Sequence, residues 1–329
     1  LQRGKVFQRS AATALAAVLL MATPALALFG KKTQKTTETE TGAPIAQALE
    51  IHTYRNIPYH AEFLSADSEG DDVTYAVQSE PKRGTVAVDG ANFIYTPMEN
   101  KTGSDAFTYV ATDSNGKKSA PATVNVTIGK VKSGVAYSDM DGSAAAAAAQ
   151  ALAEDGIFVG SKIGDNYFFE PDRTVSRSEF LAMTMKAAGL DTGAVTMTGF
   201  CDDAAIPTWA KAYAAAGLSD GVVKGNSTSD GVMFRGGDAI TYNEAASILN
   251  RVLSVKDVDL TTWYADRNAV PSWAAQAVGN MESVSVLAAG SFGSDTLNNS
   301  VTRADAAQML SAAKTLMTGE KTGIFDWIS

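Results

Sequence analysis

Two arginines stand where an anion could be gripped. Arg177 follows Ser176 and Arg303 follows Thr302, each one residue inside an expected helix start. A helix N-terminus offers unpaired backbone N–H groups and the positive end of its dipole, and a guanidinium there adds a charge-assisted fork suited to a carboxylate. Hydrolytic chemistry finds less support. Gly217-Leu218-Ser219-Asp220-Gly221 has the spacing of a nucleophile elbow, but an elbow needs a strand before its serine, and the residues before this one read as a helix. His52 and His60 are the only histidines and lie in another part of the chain, so no base serves that serine. Cys201, the only cysteine, sits beside Asp202 and Asp203, neighbours that do not activate a thiol, and reads as a small packed side chain. No phosphate loop, dinucleotide fingerprint or zinc spacing occurs, and no carboxylate pair is singled out for glycosidase work. The expectation is a protein without a catalytic site or a cofactor.

Charge narrows the partners. The net charge is −9 over 329 residues, and residues 134–329 alone, with 13 Lys/Arg against 23 Asp/Glu, carry −10. Such a surface repels phosphate backbones, so nucleic acid is not an expected partner, and any anionic ligand must be held by local donors. A length of 329 residues implies more than one domain.

The elements that would carry these residues fall into blocks. Arg3, Lys5 and Arg9 precede an apolar run from Ala11 to Ala22, and Ala25-Leu26-Ala27 closes it. Residues 1–27 therefore read as a secretory signal peptide, with no membrane partner expected after cleavage. An uncleaved anchor is the rival, since Ala11 to Phe29 holds no charge. Residues 28–44 read as a solvated linker.

From 45 to 129 the hydrophobic period is two. Val73, Tyr75 and Val77 alternate with polar residues, as do Phe93 and Tyr95, Phe107 and Tyr109, and Val124, Val126 and Ile128. Asp89-Gly90 and Asn115-Gly116 supply turn chemistry between such runs, and the pattern implies an antiparallel, all-β sandwich. Gly84-Thr85-Val86, Phe93-Ile94-Tyr95-Thr96-Pro97, Asp105-Ala106-Phe107-Thr108-Tyr109 and Thr112-Asp113-Ser114-Asn115-Gly116 resemble the bacterial immunoglobulin-like and cadherin-like modules of surface proteins. The resemblance implies a spacer or adhesive module, and related modules sometimes bind calcium. Asp67, Asp71, Asp72, Asp105 and Asp113 could supply oxygen ligands, although Asp beside Gly and Asn is commoner as turn chemistry.

The rest of the chain repeats itself. Tyr137, Phe200 and Tyr264 open three copies, each followed two residues later by an acid: Asp139, Asp202 and Asp266. An Ala-rich helix comes next, then a Gly-bounded stretch ending at Gly160, Gly225 or Gly290, then a second helix. That helix opens on Ser176 with Glu179, Thr241 with Glu244, and Thr302 with Asp305, three capping boxes in one register. One such helix pair buries little alone, so neighbours must share a core, and a compact pseudo-threefold, all-α bundle is expected.

The order aromatic-x-Asp, Trp-Ala, Gly-bounded loop and capping box resembles three S-layer homology domains, at 134–190, 197–253 and 261–316. The resemblance implies non-covalent binding to the secondary polymer attached to peptidoglycan, often through a pyruvylated sugar, in grooves between copies. On this footing the ligand residues are Arg177, Arg303, Gly160, Gly225, Gly290, Asp139, Asp202, Asp266 and Trp263. The arginines would face solvent and grip a carboxylate, and the glycines would let the sugar approach the backbone. Copy two carries Tyr242 in place of the arginine, so at most two grooves are expected to be competent. The alternatives are a self-assembling surface-layer subunit and a polysaccharide hydrolase.

Overall fold

In the computed structural model the described residues are 42–319. The expected signal segment, nearly all of the linker and residues 320–329 lie outside them. The chain divides into two compact units after Lys130.

Period-two sequence becomes period-two burial in the first unit. Its strands are β1 (Ile45–Ala46), β2 (Leu49–Tyr54), β3 (Tyr59–Glu62), β4 (Ser65–Ala66), β5 (Val73–Ser79), β6 (Gly84–Asp89), β7 (Asn92–Pro97), β8 (Gly103–Asp113) and β9 (Ala122–Gly129). A four-stranded sheet in the order β2-β9-β8-β5 accompanies a three-stranded one, β3-β7-β6, and β1 pairs with β4. Phe93, Tyr95, Phe107, Tyr109, Val124, Val126 and Ile128 form one buried cluster. Phe63 stacks between Phe93 and Tyr109, with ring centroids 4.5 and 4.4 Å away. The buried Tyr109 hydroxyl shares its proton between the carbonyls of Gln47 (2.6 Å) and Leu64 (2.7 Å). One pairing departs from the antiparallel expectation: β2 runs parallel to β9, with Leu49 opposite Val124. These are the first and last long strands of the unit, so no hairpin dictates their direction.

The second unit contains α1 (Ala146–Glu154), β10 (Ser161–Ile163), β11 (Asn166–Phe168), α2 (Arg177–Ala187), α3 (Thr208–Ser219), β12 (Asn226–Thr228), β13 (Gly231–Met233), α4 (Tyr242–Leu253), α5 (Leu260–Trp263), α6 (Ala275–Ser283) and α7 (Arg303–Thr318). All three capping boxes form, ahead of α2, α4 and α7. The unit is not all-α. The Gly-bounded stretches of the first two copies continue into antiparallel hairpins, β10-β11 and β12-β13, while the third carries a short 3-10 turn at Asp295–Asn298.

The residues ahead of the caps close a ring. Val175 N–H donates to Val301 (2.9 Å), Ile240 N–H to Val175 (3.0 Å), and Val301 N–H to Ile240 (2.8 Å). All three side chains are buried. Helix contacts run around the same ring: α3 packs on α2, α6 on α4, and α1 on α7. Each copy's first helix thus covers the second helix of the copy before it. Ala146, Ala147, Ala149 and Ala153 on α1 and Ala210 and Ala214 on α3 are buried, and side chains this small let the helices approach closely.

Candidate functional site

The arginines expected at solvent-facing helix starts are buried, 6% exposed for Arg177 and 5% for Arg303. This corrects the sequence reading, and the cause is the ring. Arg177 is the first residue of α2, and its own N–H donates to Asp238 O (2.9 Å) in the next copy. Its guanidinium follows, with Nη1 on Phe234 O (3.1 Å) and Nη2 on Glu244 Oε1 (2.5 Å). Arg303 repeats the arrangement against the first copy: its N–H bonds to Arg173 O (2.8 Å), and its Nη1 to Phe169 O (2.9 Å) and Glu170 Oε2 (2.7 Å). The Phe158 ring lies 4.9 Å from the Arg303 guanidinium carbon, within cation–π range. Tyr242 occupies the same place in α4. Its N–H reaches Asn299 O (3.3 Å) in the third copy, and burial, together with a hydrogen bond to Asp305, pushes its phenol pKa upward.

Two of the three expected aspartates meet the same segments from the other side. Asp139 accepts the N–H groups of Phe169 (2.8 Å) and Glu170 (2.7 Å). Asp202 accepts those of Phe234 and Arg235, both at 2.8 Å. Phe169 and Phe234 therefore give their N–H to an aspartate of their own copy and their carbonyl to an arginine of another. Glu170 and Arg235, just beyond, are left-handed (φ 55° and 57°), a conformation each carboxylate helps to hold. Asp266 behaves differently: it is exposed and accepts from Asn268 N–H (3.0 Å) at a 3-10 turn. Glu282 substitutes for it in the third copy, accepting from Gly290 (2.7 Å) and Phe292 (2.8 Å).

The loop glycines divide similarly. Gly160 and Gly225 have positive φ (both 68°), and a Cβ on either would collide with a backbone carbonyl across its hairpin, that of Phe168 or Met233. Their lack of a side chain is used by the hairpins themselves. Gly290 shares the positive φ (81°), but a Cβ there would meet open space.

Three tryptophans stand exposed among the described residues of the second unit. Trp263, at the end of α5, is 48% exposed, and Trp209 and Trp273 are 53% and 59% exposed. The latter two were not expected as site residues. Their signal was legible: each stands two residues after a proline, Pro207 or Pro271, where a helix begins. An open cleft of about 450 Å³ lies where α5 approaches α6, lined by Leu260, Arg267, Asn268, Pro271 and Ser272. Cys201 is exposed rather than packed, and its N–H donates to Val232 O (2.8 Å) on the second hairpin. Ser219 of the elbow-like sequence ends α3, with a helix rather than a strand before it.

In the first unit the expected oxygen ligands separate. Asp105 accepts Lys82 N–H (2.9 Å), Arg83 N–H (2.7 Å) and the Tyr95 hydroxyl (2.8 Å), and these hydrogen bonds outweigh its desolvation and lower its pKa. Asp71 and Asp113 instead approach Glu69, a residue the sequence reading missed.

Comparison with known proteins matches the first unit and the first copy of the second. Residues 41–127 match the family model of a bacterial Ig domain, and residues 136–181 that of an S-layer homology domain. The chain is similar to the Surface-layer 125 kDa protein of Lysinibacillus sphaericus, 25% identical over 218 residues that cover 66% of this chain and 16% of that protein. It thus spans well under two thirds of that relative's length. Among solved structures, an endo-fucoidan hydrolase of glycoside hydrolase family 107 is 21% identical and covers 29% of this chain and 14% of its own, with a TM-score of 0.24. The fibronectin(III)-like modules of Clostridium thermocellum CbhA are 15% identical over 27% of this chain and 47% of theirs, with a TM-score of 0.20.

Proposed function

We propose that this is an exported surface protein held non-covalently on a bacterial cell envelope by residues 134–316, with the Ig domain as spacer. The observation that carries this reading is the closed hydrogen-bonded ring of Val175, Ile240 and Val301 in a unit whose first copy matches an S-layer homology domain. The ring relates the second and third copies to the first, so all three are read as S-layer homology repeats in a pseudo-threefold bundle. The ligand is the secondary polymer attached to peptidoglycan. Both matched families describe surface and structural modules rather than enzymes.

Polymer binding falls to the groups the ring leaves accessible. Trp209, Trp263 and Trp273 offer flat apolar faces on which sugar rings stack. Arg303, 5% exposed and bonded through Nη1 to Phe169 O and Glu170, holds the third copy to the first rather than reaching the polymer. Arg177 has both terminal nitrogens engaged and serves mainly as a clamp. Tyr242 closes the remaining groove without a fork. A surface-layer lattice is the second reading, favoured by the relative's printed name.

Co-sedimentation of the protein with purified sacculi, before and after the secondary polymer is stripped, tests the proposal. Retention on intact sacculi and loss on stripped ones is expected. Equal retention on both would overturn polymer recognition, and ordered arrays formed by purified protein alone would favour the lattice.

A further inference from the structure

We propose that the sandwich binds one divalent cation of the calcium class through Glu69, Asp71 and Asp113, where the β4–β5 and β8–β9 loops meet. One carboxylate oxygen from each residue lies within 4.8 Å of the others. Calcium holds oxygens at about 2.4 Å, so two on opposite sides of the ion stand about 4.8 Å apart. The three oxygens therefore fall within the span of a single calcium coordination shell. Magnesium demands strict octahedral geometry, whereas calcium accepts irregular sets of roughly six to eight oxygens such as loop carboxylates supply.

Exposed acidic groups often cluster without a metal, and the buried oxygens carry the argument further. Asp113 is 5% exposed. Its Oδ1 accepts from Asn115 (2.9 Å) and Lys117 (2.8 Å), while its buried Oδ2 has no hydrogen-bond partner. Asp67 mirrors it in the facing loop: Oδ1 accepts from Glu69 (2.8 Å) and Asp71 (3.2 Å), and the buried Oδ2 again has none. A buried carboxylate oxygen without a donor is rare in folded proteins and calls for a bound group. Asp67 also places the backbone of two of the three ligand residues, and so acts as a positioning residue.

The loops are already tied across the cluster. Asn115 Nδ2 donates to Asp71 Oδ2 (2.7 Å), and Lys117 Nζ to Glu69 Oε2 (3.0 Å). Three carboxylates against one ammonium leave two negative charges, the charge one divalent cation supplies. In the cation-bound form Glu69 exchanges its ammonium partner for the ion. The partly exposed Lys117 side chain is free to turn outward. Asp72 and Asp105 take no part in the cluster.

Calorimetric titration of the chelator-treated full chain with calcium, and separately with magnesium, tests the site alongside thermal melts. We expect one calcium per chain with Kd of about 0.1–1 mM, the range of extracellular modules, and a higher melting temperature. Asp71→Asn, which keeps an acceptor for Asn115, should weaken binding at least tenfold while melting as wild type without metal. Lys117→Met should tighten it at least threefold. No heat and no melting shift at about 10 mM calcium, ten times the upper end of that range, would overturn the site. So would unchanged affinity in Asp71→Asn or in Lys117→Met, or magnesium binding as tightly as calcium.

Discussion

Replacing Arg177 by alanine removes the guanidinium that joins α2 to the second hairpin and to the cap of α4. Two groups lose their partner: the Phe234 carbonyl and one oxygen of Glu244, whose other oxygen still accepts the Thr241 N–H (3.1 Å) in its capping box. Breaking a fully buried pair from one side costs about 3–5 kcal/mol. The Glu244 side chain is 25% exposed, so water recovers part of its solvation and the ionic share falls below that range. An orphaned carbonyl adds about 1–3 kcal/mol. The expected loss is about 3 kcal/mol, against about 0–1 kcal/mol for the exposed arginine the sequence suggested. For a unit of this size it corresponds to a fall of roughly 6–12 °C in melting temperature. The assay is urea and thermal unfolding of the whole protein without ligand, following the transition of the helical unit. The double variant with Glu244→Ala should lose less than the sum of the single changes, with a coupling of about 0.5–3 kcal/mol. A loss within about 0.5 kcal/mol of zero, the range of ordinary surface substitutions, would refute the clamp and restore the picture of a hydrated guanidinium.

Further outcomes follow from the same geometry. Gly160→Ala should destabilise more than Gly290→Ala in chemical unfolding, because both meet the left-handed penalty of about 1–2 kcal/mol but only the first also strikes a carbonyl; equal losses would show that the first hairpin yields. Trp209→Ala combined with Trp273→Ala should leave melting within about 1 kcal/mol of wild type and sharply reduce retention on sacculi, as expected of exposed faces spent on a ligand. Lys211→Met should be less stable than wild type at pH 6, and the gap should close as pH falls from about 4 toward 2. The reason is that Lys211, followed by Thr198, holds the Asp203 carboxyl down at about 2, from 3.8, so the stabilisation exists only above the unfolded value and disappears on acidification. A gap independent of pH in melting curves would contradict it.

The legible parts of this protein rest on short-range physics. A serine or threonine that accepts from the residue three positions on, and a carboxylate that reaches back, interact within four residues, so Ser176, Thr241 and Thr302 announced their helices. Alternation along β8 and β9 announced the sandwich face in the same way, since side chains on a strand alternate whatever the strand pairs with. Strand direction is not local, and the parallel β2–β9 pair was invisible. The site shows the same division more sharply. The repeat marked Asp139, Asp202, Arg177 and Arg303 as important, but type and spacing do not distinguish gripping a ligand from gripping the chain. That choice was made by partners far away in sequence: Arg177 meets Phe234 and Glu244, and Arg303 meets Phe169 and Glu170. Only the ring that sets each copy's helix start against the next copy's hairpin brings those carbonyls and carboxylates within 3.1 Å of the guanidinium groups. Once a charge is buried there it must be paired by whatever the ring supplies, because an unpaired buried charge costs more than the fold can bear.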